Sequence, residues 1–479
     1  MRRIKNMKPK TLLHLNEYCL WQIFLQIKRN CERNQDPTSG FNIVKYLDLI
    51  NFISCSDVFK MYIWQWDRDL LQKLGIVFEI LGDGRIMTID LEQVYELWQS
   101  ESPGQKEIFW QLCVSAIREN KELETIRVVY QPTRYYGEHL ECFEALMNAI
   151  GQKKGLRRLD IVLNGYCFQN LPRAKELEIV TVNAGMDAAD LVELCRCNQS
   201  LRFLSFTGPA LYGRFSDIVP YCNQLRNVDL TMKTDADASE YATLAKLPQL
   251  MSLILRGYHR RGTLAKLFQD LAGKCLVQLV VRDTLIHEEE TQPMARIHSL
   301  RTTQSGFYDA QAIAPLARQR NLQYVAIYVQ PDQYLETDRL VDLLRNGTKV
   351  RFIKEHWRLL VKYEERWGKL ELSLERYWAL KESYWKLIYH ITPIIRLLNV
   401  VYLTISGEFT ADMLHILCHS LAKKKLQVLK TLEIKMCSKF SEKHGISVAS
   451  IPSLATFVCD TEALGGKINF MRKQRPFSL

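Results

Sequence analysis

At 479 residues, the chain is long enough for two or more ordinary domains, or for one extended repeat array. Hydrophobic residues make up 47% of it and charged residues 24%, with 14 prolines and 22 glycines, so no long region has the composition of a disordered segment. The formal net charge of +11 favours an acidic partner, either a protein surface or nucleic acid. No apolar stretch reaches the roughly 20 residues that a membrane-spanning helix needs, so we expect no membrane partner.

The cysteines and the first residues predict where the protein acts. There are 13 cysteines, an odd number without regular spacing, which favours reduced thiols in the cytosol or nucleus. The basic, apolar N-terminus is similar to a signal peptide, but no small-residue cleavage site follows it. Its apolar run is also interrupted by His14, Asn16, Glu17 and Gln22. We therefore expect a cytoplasmic or nuclear protein.

Residues 11–75 are the first predicted unit, a compact all-helical head. After Asn16, the expected N-cap, apolar residues recur at helical spacing at Leu20, Ile23, Phe24 and Ile27. A polar loop then leads to a second helical pair, with apolar positions at Leu47, Ile50, Phe52, Ile53, Val58 and Phe59. Residues 76–122 are interpreted as a linker or N-terminal cap, in which DGR at 83–85 predicts a hairpin turn before IMTI.

From Leu123 onward, the spacing L-x-x-L-x-L recurs with conservative apolar replacements. The first leucines of four copies lie at 201, 225, 250 and 276, so the steps are 24, 25 and 26 residues, within the leucine-rich-repeat range of roughly 20 to 29. The copies before the break are Leu123-Ile126-Val128, Leu156-Leu159-Ile161, Leu201-Leu204-Phe206, Leu225-Val228-Leu230, Leu250-Leu253-Leu255, Leu276-Leu279-Val281 and Leu322-Val325-Ile327. The later copies are Val400-Leu403-Ile405, Leu429-Leu432-Ile434 and, more weakly, Leu454-Phe457-Cys459.

This repeat predicts an α/β leucine-rich-repeat solenoid over residues 123–465, with a C-terminal tail at 466–479. Each copy contributes a strand whose alternate residues stack inward, followed by a helix that closes the outer side. Two stretches fit the repeat poorly: Leu300 begins a copy with polar residues at the apolar positions, and Ala174-Leu177-Ile179 follows its predecessor too closely. Thiols next to the first leucines are expected to pack as small hydrophobes, at Cys195, Cys222 and Cys275.

The head resembles an F-box, and the order of F-box and leucine-rich repeats resembles the substrate receptors of cullin-RING ubiquitin ligases, in the divergent form common among insect F-box-like proteins. The residues that carry the resemblance are the leucine cluster with Glu17, Leu20, Ile23 and Phe24, and LDLINFISCSDVF at 47–59. Asn16 replaces the usual proline, and the loop between the two halves is longer than in typical F-boxes.

The resemblance implies a division of labour between the head and the repeats. An apolar face of the head would dock on a Skp-type adaptor of the cullin-RING ligase. The residues implied for that contact are Leu12, Leu13, Leu15, Leu20, Ile23, Phe24, Leu47, Leu49 and Phe59. The solenoid would then hold a protein substrate, whose identity the sequence does not reveal, for ubiquitination and proteasomal degradation.

The non-leucine strand positions face the concave surface and predict where a protein would bind. The outer column of these positions is Val129, Val162, Thr207, Thr231, Arg256, Arg282 and Tyr328. Tyr324 lies on the same strand as Tyr328. The surface therefore becomes basic and aromatic towards Arg256, Arg282, Tyr324 and Tyr328, a combination enriched at binding hot spots, and these four are the predicted substrate-binding residues.

Residues 331–396 interrupt the repeat. Arg358, Lys362, Arg366 and Lys369 fall at helical spacing, and interspersed glutamates favour a solvated helix face over a nucleic-acid contact. The tryptophans of this insertion, Trp357, Trp367, Trp378 and Trp385, are expected to pack it onto the solenoid, and GKLELSLE is read as a degenerate repeat strand.

No catalytic motif stands out, so we predict a non-enzymatic protein without metal or cofactor. His415, Cys418 and His419 share a helical face but lack a second ligand pair, which favours solvated histidines beside a packed cysteine. The alternatives to the ligase adaptor are a scaffold whose head only caps the array and, less favoured, an RNA-binding solenoid whose affinity would depend on salt.

Overall fold

The computed structural model divides the chain into two compact units, Met1–Leu225 and Arg226–Leu479, which are taken in turn. The residues it describes are 15–33, 48–49, 52, 56–67, 70, 85–90, 113–114, 117–118, 120–130, 140–168, 171–208, 211–212, 214–233, 237–308, 310–328, 338–354, 357–376, 391, 394–407, 409–423, 428–435, 440–461 and 466–471. Five predicted head residues, Leu12, Leu13, Leu47, Ile50 and Ile53, lie outside these ranges.

Two helices are described in the head. The first, Glu17–Glu32, begins as predicted at Asn16, whose side chain accepts a hydrogen bond from the backbone nitrogen of Cys19 at 2.9 Å. The second, Asp57–Trp66, is capped in the same way by Ser56. Each cap satisfies a backbone N–H that the first helical turn leaves without a partner.

Aromatic side chains form the core of the head. The rings of Phe52 and Phe59 stack with their centroids 4.6 Å apart, and those of Phe24 and Trp66 lie 5.7 Å apart. Such pairs add stability beyond the apolar area that they bury. The head therefore has a small hydrophobic core of its own.

The repeats of the first unit consist of short strands joined by helical segments. The described strands are β1 (Ile86–Asp90), β2 (Thr125–Tyr130), β3 (Arg158–Phe168), β4 (Ile179–Asp187), β5 (Phe203–Phe206) and β6 (Leu211–Tyr212). The helical segments are Leu140–Gln152, Leu171–Arg173, Ala188–Cys197 and Phe215–Tyr221, of which the second and fourth are 3-10 helices.

Parallel pairing brings the repeat leucines into buried rows. In the register of β2 to β5, one row of in-register side chains is fully buried and consists of Ile126, Leu159, Val180 and Leu204. The row beside it consists of Val128, Ile161, Val182 and Phe206. Each strand thus buries alternate residues against its own helices, the arrangement that defines a leucine-rich repeat.

The second unit continues the same construction. Its described strands are β7 (Asn227–Thr231), β8 (Ser252–Arg256), β9 (Gln278–Ile286), β10 (Thr302–Phe307), β11 (Tyr324–Tyr328), β12 (Lys349–Lys354), β13 (Trp357–Glu364), β14 (Lys369–Arg376), β15 (Tyr402–Gly407), β16 (Thr431–Lys435), β17 (Thr456–Thr461) and β18 (Gly466–Met471). The α-helices are Ala265–Leu271, Glu288–Met294, Ala310–Ile313, Asp338–Arg345, Ala411–Lys423 and Glu442–Ala449. The 3-10 helices are Ala238–Lys246, Ala314–Arg318 and Glu365–Trp367.

The pairing in this unit is parallel except at two places. β7 to β12 and β14 to β17 pair in parallel, whereas β13 is antiparallel to both β12 and β14. The last strand, β18, is antiparallel to β17, so part of the predicted C-terminal tail belongs to the sheet. The α/β leucine-rich-repeat fold predicted from the sequence is confirmed.

Polar side chains connect successive repeats on the side where the strands begin. Hydroxyl groups donate to the backbone oxygen of a leucine in the preceding repeat, as in Ser200 to Leu177, Ser299 to Leu276, Thr348 to Leu322 and Ser453 to Leu429. The buried amide of Asn198 accepts from the nitrogen of Leu177 at 2.7 Å and donates to the oxygens of Ala174 and Leu194. These bonds satisfy backbone groups at turns that lie outside the strand ladders.

The structure corrects the sequence interpretation of the first unit at two places. β1 lies in the segment 76–122 assigned to a linker or cap, and it pairs in parallel with β2, whereas the ILG segment of the predicted hairpin lies outside the described residues. The irregular copy predicted at Ala174-Leu177-Ile179 is displaced along the sequence. Its buried positions are Leu177, Val180 and Val182, which have the spacing of a regular repeat.

In the second unit, the poor copy that begins at Leu300 is nevertheless a full repeat strand. The inward positions of β10 are Thr303 and Ser305, both fully buried, and the hydroxyl oxygens of both have no partner among the described residues. The parallel ladders on either side therefore hold this strand in place despite its polar core residues.

The predicted insertion is also different from its sequence interpretation. Its basic residues are not on a helix, because Arg358 and Lys362 lie on β13, Arg366 lies in a 3-10 turn and Lys369 begins β14. The GKLELSLE strand is confirmed as β14, in parallel register with β15.

Two side chains expected in the core are exposed. Cys275 is exposed, whereas Cys195 and Cys222 are buried as predicted. Trp357 is buried, but Trp367 is 59% exposed, and Trp378 and Trp385 lie outside the described residues. The predictions for Cys275 and Trp367 are therefore wrong: Cys275 lies in the loop before β9, and Trp367 ends the short 3-10 helix between β13 and β14.

Candidate protein-binding surface

Side chains that alternate with the buried rows lie on the opposite side of the sheet from the helices. We call this side the open face of each unit. On β8, Ser252, Ile254 and Arg256 alternate with the buried Leu253 and Leu255, as strand geometry requires. The open face is therefore the part of a repeat that varies without disturbing the leucine core.

Charged residues on the open face of the first unit are grouped around one carboxylate, that of Asp160. Asp160 is 5% exposed and accepts a hydrogen bond from Nε of Arg158 at 2.8 Å. Nε of Arg127, on the neighbouring strand, lies 3.5 Å from the same carboxylate. Oδ2 of Asp160 thus contacts two arginines. Its other oxygen, Oδ1, is buried without a partner among the described residues.

The open face of the second unit contains all four predicted substrate-binding residues. Arg256 forms a two-point ion pair with Asp229, with both nitrogen–oxygen distances at 2.8 Å, and this pairing raises the pKa of Arg256 above its ordinary value. Arg282 is the in-register neighbour of Arg256 on β9. The predicted grouping of these arginines on one face is therefore found in the fold.

Tyr324 and Tyr328 lie further along this face and are partly buried. Burial raises the pKa of Tyr324, while Arg351 and Arg358 nearby act in the opposite direction. The side-chain amide of Gln304 donates a hydrogen bond to the hydroxyl of Tyr328. Both tyrosines therefore present a hydroxyl and part of an aromatic ring beside the arginines.

Sequence reasoning missed the arginines that β12 and β13 add to this face. Arg351 is in register with Ala326 of β11, and its guanidinium lies 3.5 Å from the carboxylate of Glu375. Arg358 is the in-register neighbour of Glu375 across β13 and β14. Both residues belong to the segment 331–396, in which the sequence predicts a helix face and no strands before GKLELSLE.

The predicted adaptor-binding residues of the head differ in exposure. Leu20, Phe24, Leu49 and Phe59 are buried in the head, and Ile23 is partly exposed. Leu15 is 40% exposed. Three further apolar residues on the two helices are exposed and were not predicted, namely Tyr18, Val58 and Met61.

The described residues contain no group of three or more His, Cys, Asp or Glu side chains that could hold a metal ion. His415 and His419 are exposed while Cys418 is buried, as the sequence predicts.

Among the described residues, none of the helices has the length and apolar character required to cross a membrane.

Comparison with known proteins adds no family assignment, because no family model and no curated protein matches the chain. Among solved structures, the chain is similar to internalin C2 of Listeria monocytogenes, with 16% identity and a TM-score of 0.29 over 45% of this chain and 84% of that one. It is also similar to a leucine-rich-repeat protein of Leptospira interrogans, with 12% identity and a TM-score of 0.34 over 79% of this chain and 89% of that one. At such scores the fold assignment depends on the strand register and buried rows of the chain itself.

Proposed function

We propose that the chain is a non-enzymatic substrate-recognition adaptor of an SCF-type cullin-RING ubiquitin ligase. In this proposal the head docks on a Skp-type adaptor, and the open face of the second unit binds the protein substrate that is to be ubiquitinated and degraded. Leucine-rich repeats are scaffolds for protein interaction, because they present extended surfaces whose residues vary independently of the core. The cytoplasm and the nucleus are the compartments where this function would be exerted.

The observation that carries the adaptor role is the exposed apolar surface of the head. Leu15 and Val58 are each 40% exposed, Met61 is 51% exposed and Tyr18 is 66% exposed. Large apolar side chains exposed on a small helical unit favour an interaction surface, since leaving them in water costs free energy that a partner's groove recovers. Leu20, Phe24 and Phe59 are buried in the same unit.

Co-purification of the full chain with a Skp-type adaptor tests the proposal. We expect the two proteins to elute as one complex, and Met61→Asp to abolish the complex because it places a charge in an apolar interface. Ile446→Asp is the matched control, since Ile446 is 67% exposed on a repeat helix and should tolerate the charge. A folded chain that does not bind the adaptor would support a scaffold whose head only caps the repeats. Equal effects of the two variants would also contradict the proposed docking surface.

A further inference from the structure

Two arginines on the open face of the second unit have a buried nitrogen without a hydrogen-bond partner. These atoms are Nε of Arg282 on β9 and Nε of Arg351 on β12, judged against the part of the chain that the structure describes. A guanidinium is a permanent cation and an obligatory donor, so a buried N–H without an acceptor is unfavourable. Both arginines are only partly buried as residues, so a partner's carboxylate that draws a guanidinium outward would give its Nε–H an acceptor and would bind favourably.

The carboxylates on this face do not supply that acceptor. Both oxygens of Asp229 accept from Arg256 at 2.8 Å. Glu375 contacts an NH2 group of Arg351 at 3.5 Å, which is a long contact and leaves Nε of Arg351 unpaired. Asp283, which follows Arg282, is exposed.

Positive charge is in excess on the described strands of this face. On β7 to β12, together with the Arg358–Glu375 pair across β13 and β14, four arginines (Arg256, Arg282, Arg351 and Arg358) and the exposed Lys349 lie among three carboxylates, those of Asp229, Asp283 and Glu375. The excess is modest, and the carboxylates lie among the arginines. Such a mixture attracts single, spaced negative charges and opposes a continuous line of phosphates.

An irregularity in β9 fixes the position of Arg282. In the pairing of β9 with β10, Ser305 is opposite Val281, but the next residue, Gly306, is opposite Leu285. The register therefore shifts at Arg282, and Asp283 adopts a left-handed backbone with φ of 65°. Gly306 packs closely against this irregularity, since a Cβ there would lie 2.9 Å from a methyl carbon of Leu285 and 3.0 Å from the backbone oxygen of Thr284. Bulges of this kind redirect a side chain, here that of Arg282.

We infer that the open face of the second unit binds an acidic peptide segment, with aspartate or glutamate carboxylates accepting hydrogen bonds from Arg282 and Arg351. The rings of Tyr324 and Tyr328 provide the aromatic contact for the peptide between these arginines. Carboxylates are the anion that the arginines of this face already bind in the free protein, which favours them over phosphate. This inference rests on the proposed function, because it names the class of substrate segment that the face would recognise.

Selection from a displayed library of short random peptides tests the inference on the full-length chain. We expect the recovered peptides to be enriched in aspartate and glutamate, and replacement of these residues by asparagine and glutamine to abolish binding of the resynthesised peptides. Arg282→Ala should weaken binding of the selected acidic peptides about tenfold, the loss typical of one hydrogen bond to a charged group. Arg282→Lys should lose most of the same affinity, because it keeps the charge but lacks the Nε–H.

The control is Arg296→Ala, which removes one exposed positive charge from the turn after the helix Glu288–Met294 and should leave binding unchanged. Equal losses in the Arg282 and Arg296 variants would overturn the inference, as would tighter binding of phosphoserine versions or of single-stranded RNA. Enrichment of neutral peptides would overturn the inference that the segment is acidic, but it would not contradict the proposal that this face binds a protein. Failure of the head to bind a Skp-type adaptor would not affect this result, so the two proposals fail separately.

Discussion

The open faces of the two units use the same strand positions but leave opposite polar groups unsatisfied. On the first unit, Asp160 faces both Arg127 and Arg158, and the buried atom without a partner is an acceptor, Oδ1 of Asp160. On the second unit, the unpaired buried atoms are donors, those of Arg282 and Arg351. Repeats with equivalent leucine rows can therefore present surfaces with opposite preferences for a partner.

The interior of the second unit has two kinds of polar connection between repeats. The buried amide of Gln319 donates to the oxygens of Met294 and Ile297, much as Asn198 does in the first unit. The second kind is a fully buried pair: Oε1 of Glu290 lies 2.8 Å from Nε2 of His259, whose Nδ1 lies 2.8 Å from the hydroxyl of Thr284. Glu290 also accepts from the backbone nitrogens of Leu264 and His287. We expect Glu290→Ala to lower the free energy of unfolding by about 3–5 kcal/mol, because it leaves several buried groups without a partner.

Denaturant unfolding of Glu290→Ala beside Glu288→Ala measures this difference. Glu288 is exposed at the start of the same helix, so its replacement should change stability by less than about 0.5 kcal/mol. If the two variants were equally stable, the buried pair would not be what connects these repeats.

Replacing one arginine on each open face sharpens the comparison of charges. Arg256→Ala leaves the largely buried Asp229 without its cation and should cost about 2 kcal/mol of stability. Arg158→Ala should cost less than about 1 kcal/mol, because Arg127 remains near Asp160 and Arg158 is about half exposed. The free energies of unfolding of the two variants provide the measurement, and a larger loss for Arg158→Ala would reverse the comparison.

The polar core of β10 predicts a gain in stability. Thr303→Val removes a buried hydroxyl without a partner and keeps the shape of the side chain, so it should raise the free energy of unfolding by about 1 kcal/mol. Thr302→Val, on the partly exposed position beside it, should have little effect. A thermal melt compares the two, and destabilisation by Thr303→Val would mean that the hydroxyl is satisfied in the folded protein.

A surface ion pair of the second unit should produce a smaller, pH-dependent effect. Hydrogen bonds from Arg261 lower the pKa of Glu289 from 4.5 to about 2. Because the folded pKa is depressed, the pair stabilises the fold above pH 4.5, and this contribution is lost as the pH falls from 4.5 towards about 2. Arg261→Ala should make the unfolding midpoint less sensitive to pH in this window. An unchanged pH dependence would show that the ion pair does not stabilise the fold.

Sequence periodicity predicted the leucine rows because burial against a neighbouring repeat demands apolar residues at fixed spacing. The same periodicity placed Arg256, Arg282, Tyr324 and Tyr328 on one face, because side chains alternate along a strand and these residues lie between the buried positions. The periodic signal was weakest at the copy beginning at Leu300, where parallel ladders on both sides hold a strand whose inward residues, Thr303 and Ser305, are polar.

The strands β12 and β13 escaped prediction because the antiparallel pairing of β13 changes the spacing between copies. Arg351 and Arg358 were therefore not assigned to the open face. Unpaired nitrogen atoms such as Nε of Arg282 depend on distances between strands, which a single sequence does not contain.

Hydrogen exchange of the full chain, with and without a selected acidic peptide, tests most directly that the open face of the second unit is the binding surface. We predict slower amide exchange in β8, β9, β11 and β12 on addition of the peptide, and unchanged exchange in β2, β3 and β4. Protection of the first unit's strands, or none in the second unit's strands despite saturating peptide, would contradict the assignment.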